Sequence, residues 1–190
     1  KQTREAYAGA VSQEAASRVS FIEDDISSSA VASESMDVVV SWEVLEHITK
    51  PNDAFKEMSR ILKKGGFAFH EYNPFFSVDG GHSLCTLDFP WGHARLSNED
   101  FERYLDEFRP EQKEVSLSFF QNNLNRMTQS HLTDCIEQNG LRIVSIIPWY
   151  SEEDQSSLSI EMLNQCKKIH PTAELVDLAA PIVWVLCEKI

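Results

Sequence analysis

The chain has 190 residues, 42% of them hydrophobic and 25% charged, the composition of one globular domain with a real core. Its formal charge of -13 surrounds it with a field that repels polyanions, so nucleic acid and anionic membrane are excluded as expected partners in favour of small molecules. Cys85, Cys135, Cys166 and Cys187 form no CxxC pair, which argues against a zinc knuckle or a disulfide framework and for a reducing cytoplasm. No apolar run reaches the roughly 20 residues of a membrane span, and the chain opens without a signal-peptide pattern.

Residues 2–18, with Ala6, Ala10, Val11 and Ala15 on one side of a Glu- and Gln-rich stretch, predict an amphipathic helix. "VSFIEDDI", 19–26, predicts a strand whose end carries carboxylates. A Ser-rich connector, 27–35, leads to "MDVVVSW", where the run Val38-Val39-Val40 predicts a strand buried on both faces, as in a parallel sheet. The next helix has clear limits: Pro51 at its start, Asn52 and Asp53 in the first turn, Phe55, Met58, Ile61 and Leu62 on one face, Lys63-Lys64 in the last turn and Gly65-Gly66 as its stop. "FAFHEY", 67–72, predicts a second buried strand and thus a βαβ unit. Residues 73–96 are rich in Pro, Gly and aromatics without periodicity, a composition and length expected of a substrate lid or insertion. Further on, "SNEDFERYLDEF" and "TQSHLTDCIEQNG" predict helices, and "LRIVSIIPWY" and "APIVWVLCEKI" predict strands, two terminal strands typical of an antiparallel edge on an otherwise parallel sheet. No repeat or second domain interrupts 1–190.

Within "SWEVLEHI", helical spacing places Glu43, Glu46 and His47 at i, i+3 and i+4 on one face, where they can converge on a divalent ion. The alternative reading is the wall of a pocket, with His47 bonded to backbone. His70, His82 and His93 are candidate bases, the last two flanking Phe89-Pro90-Trp91; the competing reading of any one lid histidine is a surface loop residue. Tyr72, Phe75, Phe76 and Trp91 are either an aromatic substrate wall or ordinary core.

"DVVVSWEVLEH" followed by "RILKKGGFAFHEY", residues 37–72, closely resembles the middle of the class I S-adenosylmethionine-dependent methyltransferases, in particular the small-molecule branch. The order of elements over 1–190 matches the later part of that fold more loosely. The resemblance implies a Rossmann-like, doubly wound, mostly parallel sheet with an antiparallel edge strand. It implies S-adenosylmethionine as methyl donor and a small-molecule acceptor methylated on oxygen or nitrogen by in-line transfer. It puts Asp24, Asp25 and Ile26 at the adenine, and Ser41, Trp42 and Glu43 along the methionine and ribose side, beyond the carboxyl ends of strands. Some relatives use Glu-x-x-Glu-His to hold a metal, which makes Glu43, Glu46 and His47 the implied ligands, with His82 or His93 swinging in.

The family's first strand, its glycine-rich loop and its second strand do not occur in 1–190. Gly65-Gly66 and Gly80-Gly81 are not placed between a strand and a helix, as a nucleotide-cradling loop is. The expectation is a methyltransferase truncated at its N-terminus and lacking its first two strands, whose open sheet edges are covered by upstream residues or by a homodimer. Two other functional readings remain at this stage: a non-catalytic remnant that dimerises, and another nucleotide-binding α/β enzyme such as a dehydrogenase.

Overall fold

The structure, a computed structural model, describes residues 9–190. Of the helix predicted over 2–18, residues 2–8 therefore lie outside the described residues, while Gln13–Ser17 form a short helix, α1, capped by the Ser12 hydroxyl. Four strands, β1 (Met36–Trp42), β2 (Leu62–Tyr72), β3 (Leu141–Trp149) and β4 (Ile182–Lys189), make one sheet in the order β1-β2-β4-β3. β1 and β2 pair in parallel, joined by α2 (Pro51–Ile61), and β4 is antiparallel to both β2 and β3. The βαβ unit and the antiparallel strand expected from sequence are both present, but β4 lies inside the sheet between β2 and β3, and β3 is the edge. Because β4 alone runs backwards, the carboxyl ends of β1, β2 and β3 share one rim, where open α/β sheets hold ligands.

Three sequence expectations are corrected. Residues 19–25 form no strand: they run as irregular chain with Phe21 and Ile22 exposed. β propensity alone does not make a strand, since its N–H and C=O groups need a partner, and no described strand runs beside this stretch. β1 is not buried on both faces either; Val38 is 53% and Val40 50% exposed, because β1 is an edge strand with a layer on one side only. Gly65-Gly66 is not a helix stop. α2 ends at Ile61, β2 begins at Leu62, and the two glycines lie in a bulge, where Met36 pairs with Leu62 and Val38 already with Phe67. Gly65 takes φ +76 there, and a Cβ on Gly66 would stand 2.9 Å from the carbonyls of Asp37 and Lys63.

α2 and α7 (Gln129–Gln138) cover one sheet face. Ala54, Phe55 and Met58 from α2 and Leu132, Cys135 and Ile136 from α7 pack there against Ala68, Tyr72, Val183, Val185 and Cys187. The opposite face carries Val38, Val40, Trp42, Phe67, Ile147, Trp149 and Ile182, each at least 39% exposed and with no described element across it. A second core lies beyond the sheet. Residues 73–96, including the short helices α3 (His82–Cys85) and α4 (Gly92–Arg95), pack there against α5 (Asn98–Phe108), α6 (Lys113–Asn122) and α9 (Ile160–Ile169). The aromatics Phe75, Phe76 and Trp91 are buried in this core, and Phe101 stacks on Phe120 at 4.1 Å. α8 (Glu152–Ser157) and α10 (Leu175–Ala179) complete the chain before β4.

Candidate active-site rim

β1 ends at Trp42, and Glu43 turns the chain through φ +52 while its N–H still donates to Glu71 O at 2.9 Å. A non-glycine residue in the left-handed region stores strain, and such residues cluster where a side chain must be aimed. A single 3₁₀ turn, Leu45–His47, follows instead of an α-helix. The loop after α6 straps this turn down. His47 Nδ1 lies 2.6 Å from Asn123 O, Asn125 N–H donates to Glu46 O at 2.8 Å, and Asn125 Nδ2 donates to the carbonyls of Leu45 and Ile48 at 2.6 and 2.9 Å. Because a carbonyl oxygen only accepts, His47 Nδ1 is the donor in this contact, and Nε2 is left outside it.

Glu46 is completely buried. Its Oε1 accepts a long bond from Asn73 N–H at 3.4 Å and stands 4.0 Å from His82 Nε2, whereas Oε2 has no hydrogen-bond partner among the described residues. Burial pushes this carboxyl above the usual carboxylate range. His82 also has φ +52; its ring lies 4.9 Å from the His47 ring, and its buried Nε2 has no hydrogen-bond partner among the described residues. Burial, and then the neighbouring His47, push the His82 imidazole below its ordinary value. One ligating atom from each of Glu46, His47 and His82 lies within 4.8 Å of the others. Glu43 is not one of the three, although its charge acts on both Glu46 and His82. Behind them the Tyr72 hydroxyl is buried without a partner, its proton held by burial and by the carboxylates of Asp177 and Glu46.

The remaining predicted residues are distributed as follows. Asp24 accepts from the Ser29 hydroxyl at 2.6 Å and from Ala30 N–H, bonds that hold its carboxyl below the usual range. Asp25 accepts from Ser27 N–H at 2.8 Å, and half-buried Ile26 packs against the core with Val39. This loop is fixed to α2, since Glu57 accepts from Ser29 N–H and Arg60 donates to the carbonyls of Ser29 and Val31. Ser41 points into the covered face, 2.7 Å from His70 Nδ1, while Trp42 is 55% exposed on the open face. His70 is enclosed beside Phe55, and His93 Nε2 donates to Phe75 O at 2.8 Å; burial lowers each of these imidazoles to about 4. Of the three candidate bases, only His82 stands with Glu46 and His47.

Sequence reasoning missed the strap residues Asn123 and Asn125. They sit more than 70 positions from the turn they hold, and "QNNLNR" carries no periodic or spacing signal. It also missed a cavity of about 620 Å³ that begins at Tyr150, just past β3, and is walled by Leu158, Ile160, Leu175, Val176 and Ala179.

A family model described as a methyltransferase domain matches residues 2–70. Among solved structures, a Bacillus halodurans protein described as a methyltransferase superposes with TM-score 0.54 at 13% identity, over 98% of this chain and 76% of its own. A Haloferax volcanii complex of the Trm112 methyltransferase activator and a methyltransferase gives 0.52 at 12% identity, over 99% and 66%. The [4+2]-cyclase SpnF gives 0.52 at 13%, over 97% and 61%. At such identities the likeness is one of fold. This chain spans only about half the length of two further matches, 52% of one and 50% of the other. No curated protein sequence matches it. The sheet order, the rim and these matches define the Rossmann-like fold of the S-adenosylmethionine-dependent methyltransferases. The family-model match over 2–70 takes in both "DVVVSWEVLEH" and "LKKGG", the two motifs that carry the resemblance.

Proposed function

We propose that this chain forms the acceptor side and part of the cofactor rim of a methyltransferase that moves a methyl group from S-adenosylmethionine to oxygen or nitrogen of a small molecule. The observation that carries the proposal is the Glu46–His47–His82 group on the rim beyond β1 and β2, with His82 Nε2 and Glu46 Oε2 unsatisfied. The bound sulfonium supplies a methyl carbon with its leaving group already activated, so the protein chiefly orients the acceptor and excludes water. With the donor bound, transfer would be in line: the acceptor lone pair would take the methyl carbon as the C–S bond breaks and its electron pair returns to sulfur. His82, whose imidazole burial holds below its ordinary value, takes the acceptor proton at Nε2. Asp24, Asp25 and Ile26 form the adenine side and Ser41, Trp42 and Glu43 the methionine side, and the cavity at Tyr150 receives the acceptor's apolar part. Among the described residues no glycine loop cradles the donor, since Gly65 and Gly66 are spent in the β2 bulge. Photolabelling with methyl-tritiated S-adenosylmethionine and peptide mapping tests this reading. Label is expected in peptides spanning 24–26 or 41–46, and label confined elsewhere overturns it.

A second reading, a divalent ion on Glu46, His47 and His82, is favoured by the 4.8 Å clustering and by the two unsatisfied ligand atoms. The His47 contact with Asn123 O has the form of an outer bond that orients a metal-binding imidazole. Such an ion would polarise the acceptor oxygen. Titration with Mn²⁺ or Zn²⁺ is expected to show saturable binding that Glu46→Ala and His82→Ala remove, and equal behaviour of wild type and variants ends this reading.

A further inference from the structure

Arg126 follows the strap loop and enters the second core. Its guanidinium lies over the rings of Phe75 and Phe120, 4.4 and 4.6 Å from their centroids, and donates to the carbonyls of Phe120 and Leu124. No carboxylate pairs with it among the described residues, in a chain with 30 acidic and 17 basic side chains. Aromatic faces and carbonyls offset part of the cost of withdrawing a guanidinium from water, but they leave its charge uncompensated. That charge faces space. A cavity of about 510 Å³ is lined by Ser97, Asn98, Gln121, Arg126, Ile169 and His170.

The lining is unusual for so acidic a chain. It contains no carboxylate; of the two acids that follow Asn98 in sequence, Glu99 is exposed outside the lining and Asp100 is held by the Ser97 hydroxyl and by Arg103. His170 packs edge-on against Phe75 and Phe76, and its buried Nε2 has no hydrogen-bond partner among the described residues. The side-chain amides of Asn98 and Gln121 add further donors to the same wall. A planar fork with spare N–H groups, flanked by neutral donors in a lining without a carboxylate, matches the paired oxygens of an anion.

We infer that the Arg126 cavity is a binding site for the carboxylate or phosphate group of a small molecule, separate from the Glu46 rim. The strap loop joins the two places, because Asn123 and Asn125, which hold the rim turn, are within three residues of Arg126. The inference does not depend on the methyl-transfer reading and stands or falls by its own measurement.

Titration of the full chain with inorganic phosphate, and separately with acetate, at ionic strength held constant with chloride, tests the site. One of the two is expected to bind saturably, and which one does so identifies the ligand's anionic group. Arg126→Gln is expected to weaken that binding about ten-fold or more, as is Gln121→Glu, which places a carboxylate in an exposed part of the wall. Should Arg126→Gln fail to fold by circular dichroism, Gln121→Glu decides alone. Saturable binding by neither anion, or affinity unchanged in a folded variant, overturns the inference.

Discussion

At the scale of residues, Glu46 is a buried acid with one weak bond and one vacant oxygen, an arrangement that costs stability whenever the group is ionised. Its carboxyl is raised in the fold, so its contribution is fully present below the unfolded-state value near 4.5 and is lost as pH rises through the folded one. Glu46→Gln should therefore melt higher than wild type at pH 7 and lose that advantage below pH 4.5. Melting curves across pH check this; a variant that is less stable at pH 7 would mean that the carboxylate is held by more than the contacts described. The Glu43-Glu46-His47 pattern was legible because its three members are neighbours in sequence. The partnership with His82 was not, since nothing local in "GGHSLC" says that it returns 36 positions to Glu46. Nor does helical spacing survive: a 3₁₀ turn after a left-handed Glu43 leaves that residue outside the group.

At the scale of elements, β2 depends on its bulge. A side chain at position 66 would press on two backbone carbonyls that cannot swing away, so Gly66→Ala should cost about 1–3 kcal/mol in urea unfolding. A loss under ~0.5 kcal/mol would show that the bulge relaxes freely. α2, α5, α7 and the cores of β2, β3 and β4 were readable from caps, breakers and β-branched runs. α6 and the helices between 152 and 179 were not. "KEVSLSFFQN" buries only Ser116 and Phe120, and its apolar residues lack one clean helical stripe, so tertiary packing rather than pattern makes it a helix. Residues 73–96 read as a substrate lid or insertion because Gly, Pro and aromatics are loop-like in sequence. In the fold those aromatics are the interior of the second core, with Trp91 donating to Leu178 O.

At the scale of the molecule, one sheet face is packed and the other shows seven large apolar side chains to solvent. Apolar area of that extent marks a surface made to be covered. The chain should accordingly bind an apolar dye such as anilinonaphthalene sulfonate strongly, and Val40→Lys with Trp149→Gln should reduce the fluorescence while leaving the melting temperature within a few degrees. Undiminished fluorescence would place the dye elsewhere. Acid should loosen the whole fold, because His70, His93 and His170 are each lowered by burial to about 4. Neutral in the fold and ready to charge near 6.5 when unfolded, they make stability fall as pH drops from 6.5 towards 4. His70→Gln should flatten that fall, as urea midpoints at pH 7 and pH 5 will show. The methyl donor is proposed to be held by residues between Asp24 and Glu46. Titration calorimetry of the chain with S-adenosylhomocysteine tests it most directly. The account predicts saturable binding of one ligand per chain, weakened at least about ten-fold in Asp25→Ala; heats no greater than dilution, or identical heats in the variant, would contradict it.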